Sequence, residues 1–455
     1  MMKRTILFLL VLAVSLVADA QEKSAFPHSE WDCATEILMH TPGEELFDGV
    51  IHPYAGLFEY YFDVDKAAEE HKGYIKALEK NGIKVHTVRE LLEQAPLEKL
   101  RACAMSALTY DTSNMEGVTE FESESYRVGI INEMSRADLI RCILLRPTVK
   151  LYSAANNTGF EAVYTHSPLM NLYFTRDQSI TTPRGCIISK MNSVQRADET
   201  KIVSLCYELM GIEPILTITG DGRLEGGDYL RGNTISYIGC GMRTNIEAIG
   251  QIMRADAFGH DTIAVVNDRK WWQMQMHLDT YFNIIDKDLC TLVESRLLAK
   301  EGDPEWVTVD LYTRRCGEKE YSLTEKEIPF VDFLKQRGFT IIPIKQEDEL
   351  HYANNFLTIA PRHIMAVGNQ SRELQRAFAE NGVRVEWIPL ETLIKGYGAA
   401  HCMTQVIKAV PVNEPAKQKP ITVVKVNERR QCSRDCLPLV FSGQAFDRTP
   451  RLRSK

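Results

Sequence analysis

The chain has no surplus of positive charge, no membrane-length apolar run and no dense cysteine framework, and each absence removes a class of protein. Its 455 residues carry 53 Lys and Arg against 61 Asp and Glu, a net charge of −8. That balance argues against a nucleic-acid partner. The most apolar stretch, Ile6 to Val17, is shorter than the roughly 20 residues that a membrane span needs. It follows a basic Met1–Arg4 and precedes Ala18-Asp19-Ala20, so residues 1–20 read as a signal peptide. The expectation is export, secreted or periplasmic, with no membrane attachment after cleavage. Eleven cysteines are scattered from Cys33 to Cys436, and an odd number cannot all pair internally. Cys432 and Cys436 lie close together but are too few for a zinc site, and they read as exposed.

What is present is a repeated grammar: an amphipathic helical run, a glycine, then a β-rich strand. It occurs at Ala77–Gly82 before Ile83–Val88, and at Leu209–Gly211 before Ile212–Ile218. It returns at Phe333–Gly338 before Phe339–Ile344, and at Phe378–Gly382 before Val383–Ile388. Glycine just past a helix marks a left-handed C-cap, so four copies predict an α/β protein of repeated modules. Residues 90–150 break this rhythm and read as a helical insertion, with Leu91-Leu92, Leu97, Leu100 and Ala137–Leu145 at helix spacing. From residue 413 the chain turns basic, with ten Lys or Arg against four Asp or Glu, and reads as an irregular tail. Residues 21–412 would then form the catalytic body. Asn156-Asn157-Thr158 and Asn369-Gln370-Ser371 fit glycosylation acceptors.

Four segments carry chemistry. Gly396-Tyr397-Gly398-Ala399-Ala400-His401-Cys402-Met403-Thr404-Gln405 sets a lone cysteine among small residues, which let another atom approach the sulfur. His277-Leu278-Asp279 would put an imidazole and a carboxylate on one face of a strand. Asn171-Leu172-Tyr173-Phe174-Thr175-Arg176-Asp177 ends a strand-like run in a polar cluster, and Leu224-Glu225-Gly226-Gly227-Asp228 sets carboxylates beside glycines where backbone approaches a ligand closely. Taken singly, the two motifs at Asp177 and Glu225 read first as surface turns and His277 as a satisfied buried histidine; a nucleophilic site is assembled in space.

Together these motifs resemble the arginine deiminase branch of the guanidine-modifying hydrolases and transferases. The resemblance runs from about Ala34 to Gln405, in the family's motif order, and includes His40-Thr41-Pro42-Gly43-Glu44-Glu45-Leu46 and Asn354-Asn355. It implies the pentein fold, five ββαβ modules in a pseudosymmetric α/β propeller around the site, with the insertion near 90–150 that separates arginine deiminases from smaller relatives. Cys402 would attack the guanidinium carbon. His277 would protonate the leaving amine and then activate water, with Glu225 holding it. Asp177 and Asp279 would accept hydrogen bonds from the guanidinium. Phe174 would stack on that cation, Asn171 and Leu46 would contact the substrate, and Arg243 with Arg196 would pair with its carboxylate. The resemblance implies no metal or organic cofactor, a small guanidino substrate (L-arginine), and a homo-oligomer, since members commonly self-associate.

Physical chemistry supports that division of labour. Forked N–H groups of a planar cation match carboxylates, and two carboxylates sharing a pocket repel unless a cation lies between them. A thiol must become a thiolate to attack, so Cys402 needs a nearby positive charge, which the substrate itself can supply. The family usually carries an arginine five residues before the nucleophile; here Tyr397 stands there. That departure keeps a modified or peptidyl arginine open as substrate. An amidinotransferase remains a rival, and a non-catalytic arginine binder would need the aspartates but not Cys402. His401 is expected to face away from the site, because neighbours on an extended chain point to opposite sides.

Overall fold

A helix that stops at glycine and returns as a strand needs a sheet to receive it. The computed structural model shows five such sheets with one pairing scheme. It describes residues 25–412, apart from Val118 and residues 316–317; the expected signal peptide and the expected irregular tail lie outside the described residues. In every one of the five, two strands pair antiparallel and the second pairs parallel with a third, across a helix. Ser179–Thr182, Gly185–Ile188 and Leu216–Thr217 do so across Glu199–Leu209. Tyr229–Arg231, Ile235–Cys240 and Thr262–Asn267 repeat it across Ile246–Arg254, and Thr308–Thr313 and Ser322–Pro329 extend that sheet. Phe282–Asp286, Leu289–Val293 and Thr340–Ile344 follow across Phe330–Gln336. Leu357–Ala360, His363–Val367 and Arg384–Ile388 follow across Arg372–Glu380. The last unit is split. Gln405–Val410 pairs antiparallel with Cys33–Met39, which runs parallel to Lys84–Thr87 across Val64–Lys80. The protein is therefore α/β with mixed sheets.

The helix stops lie where the glycines predict them: Gly82, Gly211, Gly338 and Gly382 have φ of +78°, +71°, +85° and +69°, a region open to a residue without Cβ. The fifth copy carries no such signal, because Asp256 takes the left-handed position after Ile246–Arg254 with φ +53°. Aspartate tolerates that region better than most side chains. Middle strands such as Leu289–Val293 are buried along their whole length, which suits a parallel strand covered on both faces. Phe282, Phe330, Phe333 and Tyr237 fill one of the cores between sheet and helices.

Residues 90–150 hold the helices Leu97–Ala107, Glu124–Glu133 and Arg136–Leu145, the last two capped by the hydroxyls of Ser123 and Ser135. The expectation of helix alone fails at Thr109–Asn114. This strand pairs with Pro147–Ser153, which pairs with Phe160–His166. β-branched and aromatic Thr109, Tyr110 and Thr112 favour that extended state. Leu100, Ala104, Leu139 and Ile143 pack in one core with Val203 and Tyr207 of the following helix. Among the described residues no helix is long and apolar enough to cross a membrane.

Candidate active site

Each of the five units is entered through a short polar segment just before its first strand. Asp177 precedes Ser179, and Glu225 with Asp228 precedes Tyr229. His277 with Asp279 precedes Phe282, Asn354-Asn355 precedes Leu357, and Cys402 precedes Gln405. These segments meet. One cavity is lined by Asn171, Phe174, Asp177, Arg196, Arg243, His277 and Cys402, joined by Leu57, Gln273, Met276, Gly396 and Tyr397.

The imidazole of His277 is buried and its Nε2 bonds Glu225 Oε2 at 2.8 Å, while Nδ1 stands 3.8 Å from Asp177 Oδ1. Burial alone would strip its proton; Asp177, the bond to Glu225 and Asp228 overcome that and lift it to about 9. Burial likewise opposes the charge of Glu225, yet the bond to His277 and the guanidinium of Arg243, 3.7 Å away, hold it well below the usual carboxylate range. The expected strand at His277–Asp279 is instead a helical turn, Leu278–Tyr281, whose first N–H is accepted by Asp228 Oδ1 at 3.0 Å. That cap wins over strand pairing, so His277 turns to Glu225 while Asp279 turns to the sulfur.

Cys402 Sγ lies 3.6 Å from Asp279 Oδ2, and His401 Nδ1 bonds the same oxygen at 2.7 Å. His401 therefore does not face away. Residues 400–403 form a turn rather than extended chain, with Met403 N–H donating to the carbonyl of Ala399. Asn355 Oδ1 accepts from the backbone N–H groups of both Ala399 and Cys402, at 2.9 and 3.1 Å, and fixes this turn. Burial, Asp279 and Asp177 push the Cys402 thiol well above its ordinary range. Asp177 Oδ1 and Asp279 Oδ1 are both buried without a partner, a costly state unless a donor arrives. The small residue at Gly398 admits the ring of Phe174, since a Cβ there would come within 2.6 Å of it and 3.1 Å of the sulfur.

Arg196 donates to Asp177 Oδ2 at 2.8 Å, to Glu199 Oε2 at 2.9 Å and to the carbonyl of Asn171 at 3.3 Å. Its donors meet protein acceptors. Arg243 bonds Gln273 at 2.8 Å and keeps a buried, unpartnered Nε. Asn171 donates to the carbonyl of Gly56 at 2.9 Å. Leu46 does not line the cavity: it closes the turn Glu44–Leu46 and packs with Phe58, Phe62 and Tyr173 in the core. Leu57, at φ +62°, takes the apolar place at the cavity. Gly226 and Gly227 are approached by the protein itself rather than left open, for a Cβ at Gly227 would meet the His277 ring at 2.6 Å. The segment 171–177 is a chain of turns leading into a strand, with Phe174 N–H donating to Asn171 and Asp177 N–H to Phe174. Leu57, Gln273 and Met276 were invisible in sequence, because nothing in their local pattern marks them. Asp177, Glu225 and His277 have donor atoms within 4.8 Å of one another, but Arg196 and Arg243 already stand against the two carboxylates, so this set does not fit a metal dication.

A buried thiol, a charged imidazole–carboxylate pair and two half-satisfied carboxylates define a site able to hold a planar cation against a sulfur nucleophile. The sequence comparisons agree in kind. The chain belongs to the arginine deiminase family, whose model matches residues 55–408. The arginine deiminase of Halobacterium salinarum is 24% identical over 477 aligned positions, covering 84% of this chain and 96% of that one. That of Borrelia garinii subsp. bavariensis is 24% identical over 395, covering 81% and 94%. Among solved structures, the N-terminal domain of ArgZ, a cyanobacterial arginine dihydrolase bound to product, matches with a TM-score of 0.50 at 16% identity, covering 83% of this chain and 99% of that one. The same domain covalently bound to a reaction intermediate matches with a TM-score of 0.50 at 16% identity, covering 83% and 98%. At that distance the structural likeness speaks for the fold.

Proposed function

We propose that the protein hydrolyses L-arginine to L-citrulline and ammonia through a covalent intermediate on Cys402. The observation that carries this is the pair of buried, partnerless oxygens on Asp177 and Asp279, the two carboxylates whose charges act on a buried thiol. A guanidinium set there donates to both. Its charge also reverses the environment that keeps Cys402 protonated, so the thiol releases its proton to solvent and the thiolate is populated when the substrate arrives. Sulfur then bonds the guanidinium carbon, the carbon–nitrogen bond breaks, and His277, charged in the free protein, gives its proton to the departing ammonia. The neutral imidazole next takes a proton from water, whose oxygen bonds the same carbon. The carbon–sulfur bond breaks, citrulline leaves and the thiolate is regenerated. Glu225 holds the imidazole throughout. Arg196 positions Asp177, and Arg243, with its free Nε, pairs with the substrate carboxylate. Phe174 covers the flat face of the cation, a contact worth about 1–2 kcal/mol.

The five units are read as a ring. Support comes from the fivefold recurrence of one pairing scheme, from the last strand sealing against the first, and from entry segments of which three line one cavity while Glu225 and Asn355 of the other two bond His277 and the Cys402 turn. Residues 1–20 are read as directing export, residues 21–412 as the catalytic body, and the chain as forming a homo-oligomer.

Incubation of the protein with arginine tests the reading. Citrulline and ammonia in equal amounts support it, whereas ornithine with a new guanidino compound, formed when an amine is added, would make it a transferase. Cys402→Ala should lose turnover and keep arginine binding. Tyr397, at the cavity in place of the family's usual arginine, favours a second reading in which the α-carboxylate is masked. Faster turnover of arginine amide than of arginine would select it.

A further inference from the structure

A second opening, outside the active cleft, is a cavity of about 320 Å³, within the size range of small-ligand sites. Its floor is Met274 and Glu349, 7% and 8% exposed, and its walls include Trp272, Leu298 and Leu350, which are 41%, 66% and 50% exposed. Large apolar side chains left open around a buried carboxylate need an explanation, since such surface is normally covered.

The charges indicate what would cover it. Glu349 accepts one hydrogen bond, from Gln275 at 2.5 Å on Oε1, and burial pushes its carboxyl up. Glu294 and Glu305 stand at the rim, and Lys270 bonds Glu305 at 2.7 Å while its ammonium lies 4.4 Å from the Trp272 ring centre. Among the lining residues three carboxylates stand against one ammonium, and the neighbouring cations Arg296 and Lys345 are paired with Asp268 and Glu373, which leaves the cavity negative. The Trp272 ring already holds one cation, which shows that this face is suited to cation–π contact. An anion would meet the surplus of carboxylates, and a neutral apolar molecule would leave Glu349 half-satisfied.

We propose that this cavity is a second ligand site, distinct from the cleft, for a small organic cation with an aliphatic stem, an alkylammonium or alkylguanidinium. The cationic head would sit between Glu349 and Glu294, and the stem would lie along Met274, Leu298 and Leu350. This site is independent of the chemistry assigned to Cys402. It shares a wall with the cleft, because Trp272 and Met274 line the cavity while Gln273 and Met276 line the cleft.

The probes are n-butylammonium, which lacks the planar fork that the cleft would hold, and n-butylguanidinium. Each is titrated into the whole protein by calorimetry, with tryptophan fluorescence as a second signal. Saturable binding of one n-butylammonium is expected, weakened at least tenfold by Glu349→Gln, reduced by Trp272→Leu and unchanged by Asp279→Asn. n-Butylguanidinium is expected to bind there too, with a second equivalent lost in Asp279→Asn. Binding retained in Glu349→Gln, or lost only in Asp279→Asn, would assign the ligand to the cleft and overturn the proposal, as would no binding at millimolar concentration. Should Glu349→Gln fail to fold, the rim variant Glu294→Gln must weaken binding on its own, and unchanged affinity there is equally fatal.

Discussion

His277 offers the sharpest physical test, because its charge is set by neighbours that the structure names. Its ordinary pKa near 6.5 rises to about 9 in the folded protein, where Asp177, Glu225 and Asp228 outweigh burial. The folded state therefore holds a proton that the unfolded chain releases near 6.5. That preference is worth about 3 kcal/mol, is fully present below pH 6.5, and is lost as pH rises through 9. Between those limits stability should fall by about 1.4 kcal/mol per pH unit on account of this one group. Other groups act in different windows. His71 and His260 are held neutral by burial, near 3 and 4, so they remove stability as pH falls below 6.5. Buried thiols such as Cys206 and Cys290, pushed up beyond 9 by burial, remove it only in alkali. The clean measurement is a difference. Urea unfolding of the wild type and of His277→Gln, from pH 6 to 9.5, should give curves that converge as pH rises. Urea is required because guanidinium is the very cation the cleft would take up. Parallel curves would refute the charge assigned to His277, and with it the proton donor of the first chemical step.

Three further outcomes are expected. Asp279→Asn removes an anion 3.6 Å from the sulfur, so iodoacetamide should label Cys402 several-fold faster at pH 8 while arginine turnover falls by about 100-fold or more; if both rates fell together, the carboxylate would have no role in raising the thiol. Arg196→Met strands Asp177 and Glu199 in the interior and should cost about 3–5 kcal/mol in urea unfolding, and adding Asp177→Asn with Glu199→Gln should recover most of it. Asn355→Ala deprives two buried N–H groups of their shared acceptor, at about 1–3 kcal/mol each. Asn355→Asp keeps the acceptor but turns a buried carboxylate oxygen toward the Asp279 carbonyl to which Asn355 donates, so it should also cost stability and slow turnover by adding an anion beside the sulfur.

Much of the scaffold was legible because glycine leaves a visible mark. Four of the five helix stops could be placed from Gly82, Gly211, Gly338 and Gly382, and the fifth was hidden because Asp256 does glycine's conformational task. The motifs around Asp177, Glu225, His277, Asp279 and Cys402 could be collected in sequence, and they meet in one cavity region. Their orientation could not be read. A period-two argument put His277 and Asp279 on one strand face and turned His401 outward. Both failed for one reason: short turns, capped by Asp228 and Asn355, replace extended chain at these places. Caps supplied from 50 and 47 residues away leave no trace in a local pattern. Leu46 shows the converse, a residue carried along by a motif whose apolar side chain belongs to the core.

The seam between Cys33–Met39 and Gln405–Val410 also governs timing. During synthesis the amino-terminal strand emerges long before its mate, and the reactive sulfur sits three residues ahead of that late-arriving partner. A nascent or prematurely stopped polypeptide can thus hold the acids and the imidazole yet have nothing to attack with. Domain-wise folding from the amino end would leave the molecule chemically silent until the strand Gln405–Val410 has been made, so that activity itself certifies synthesis through that strand.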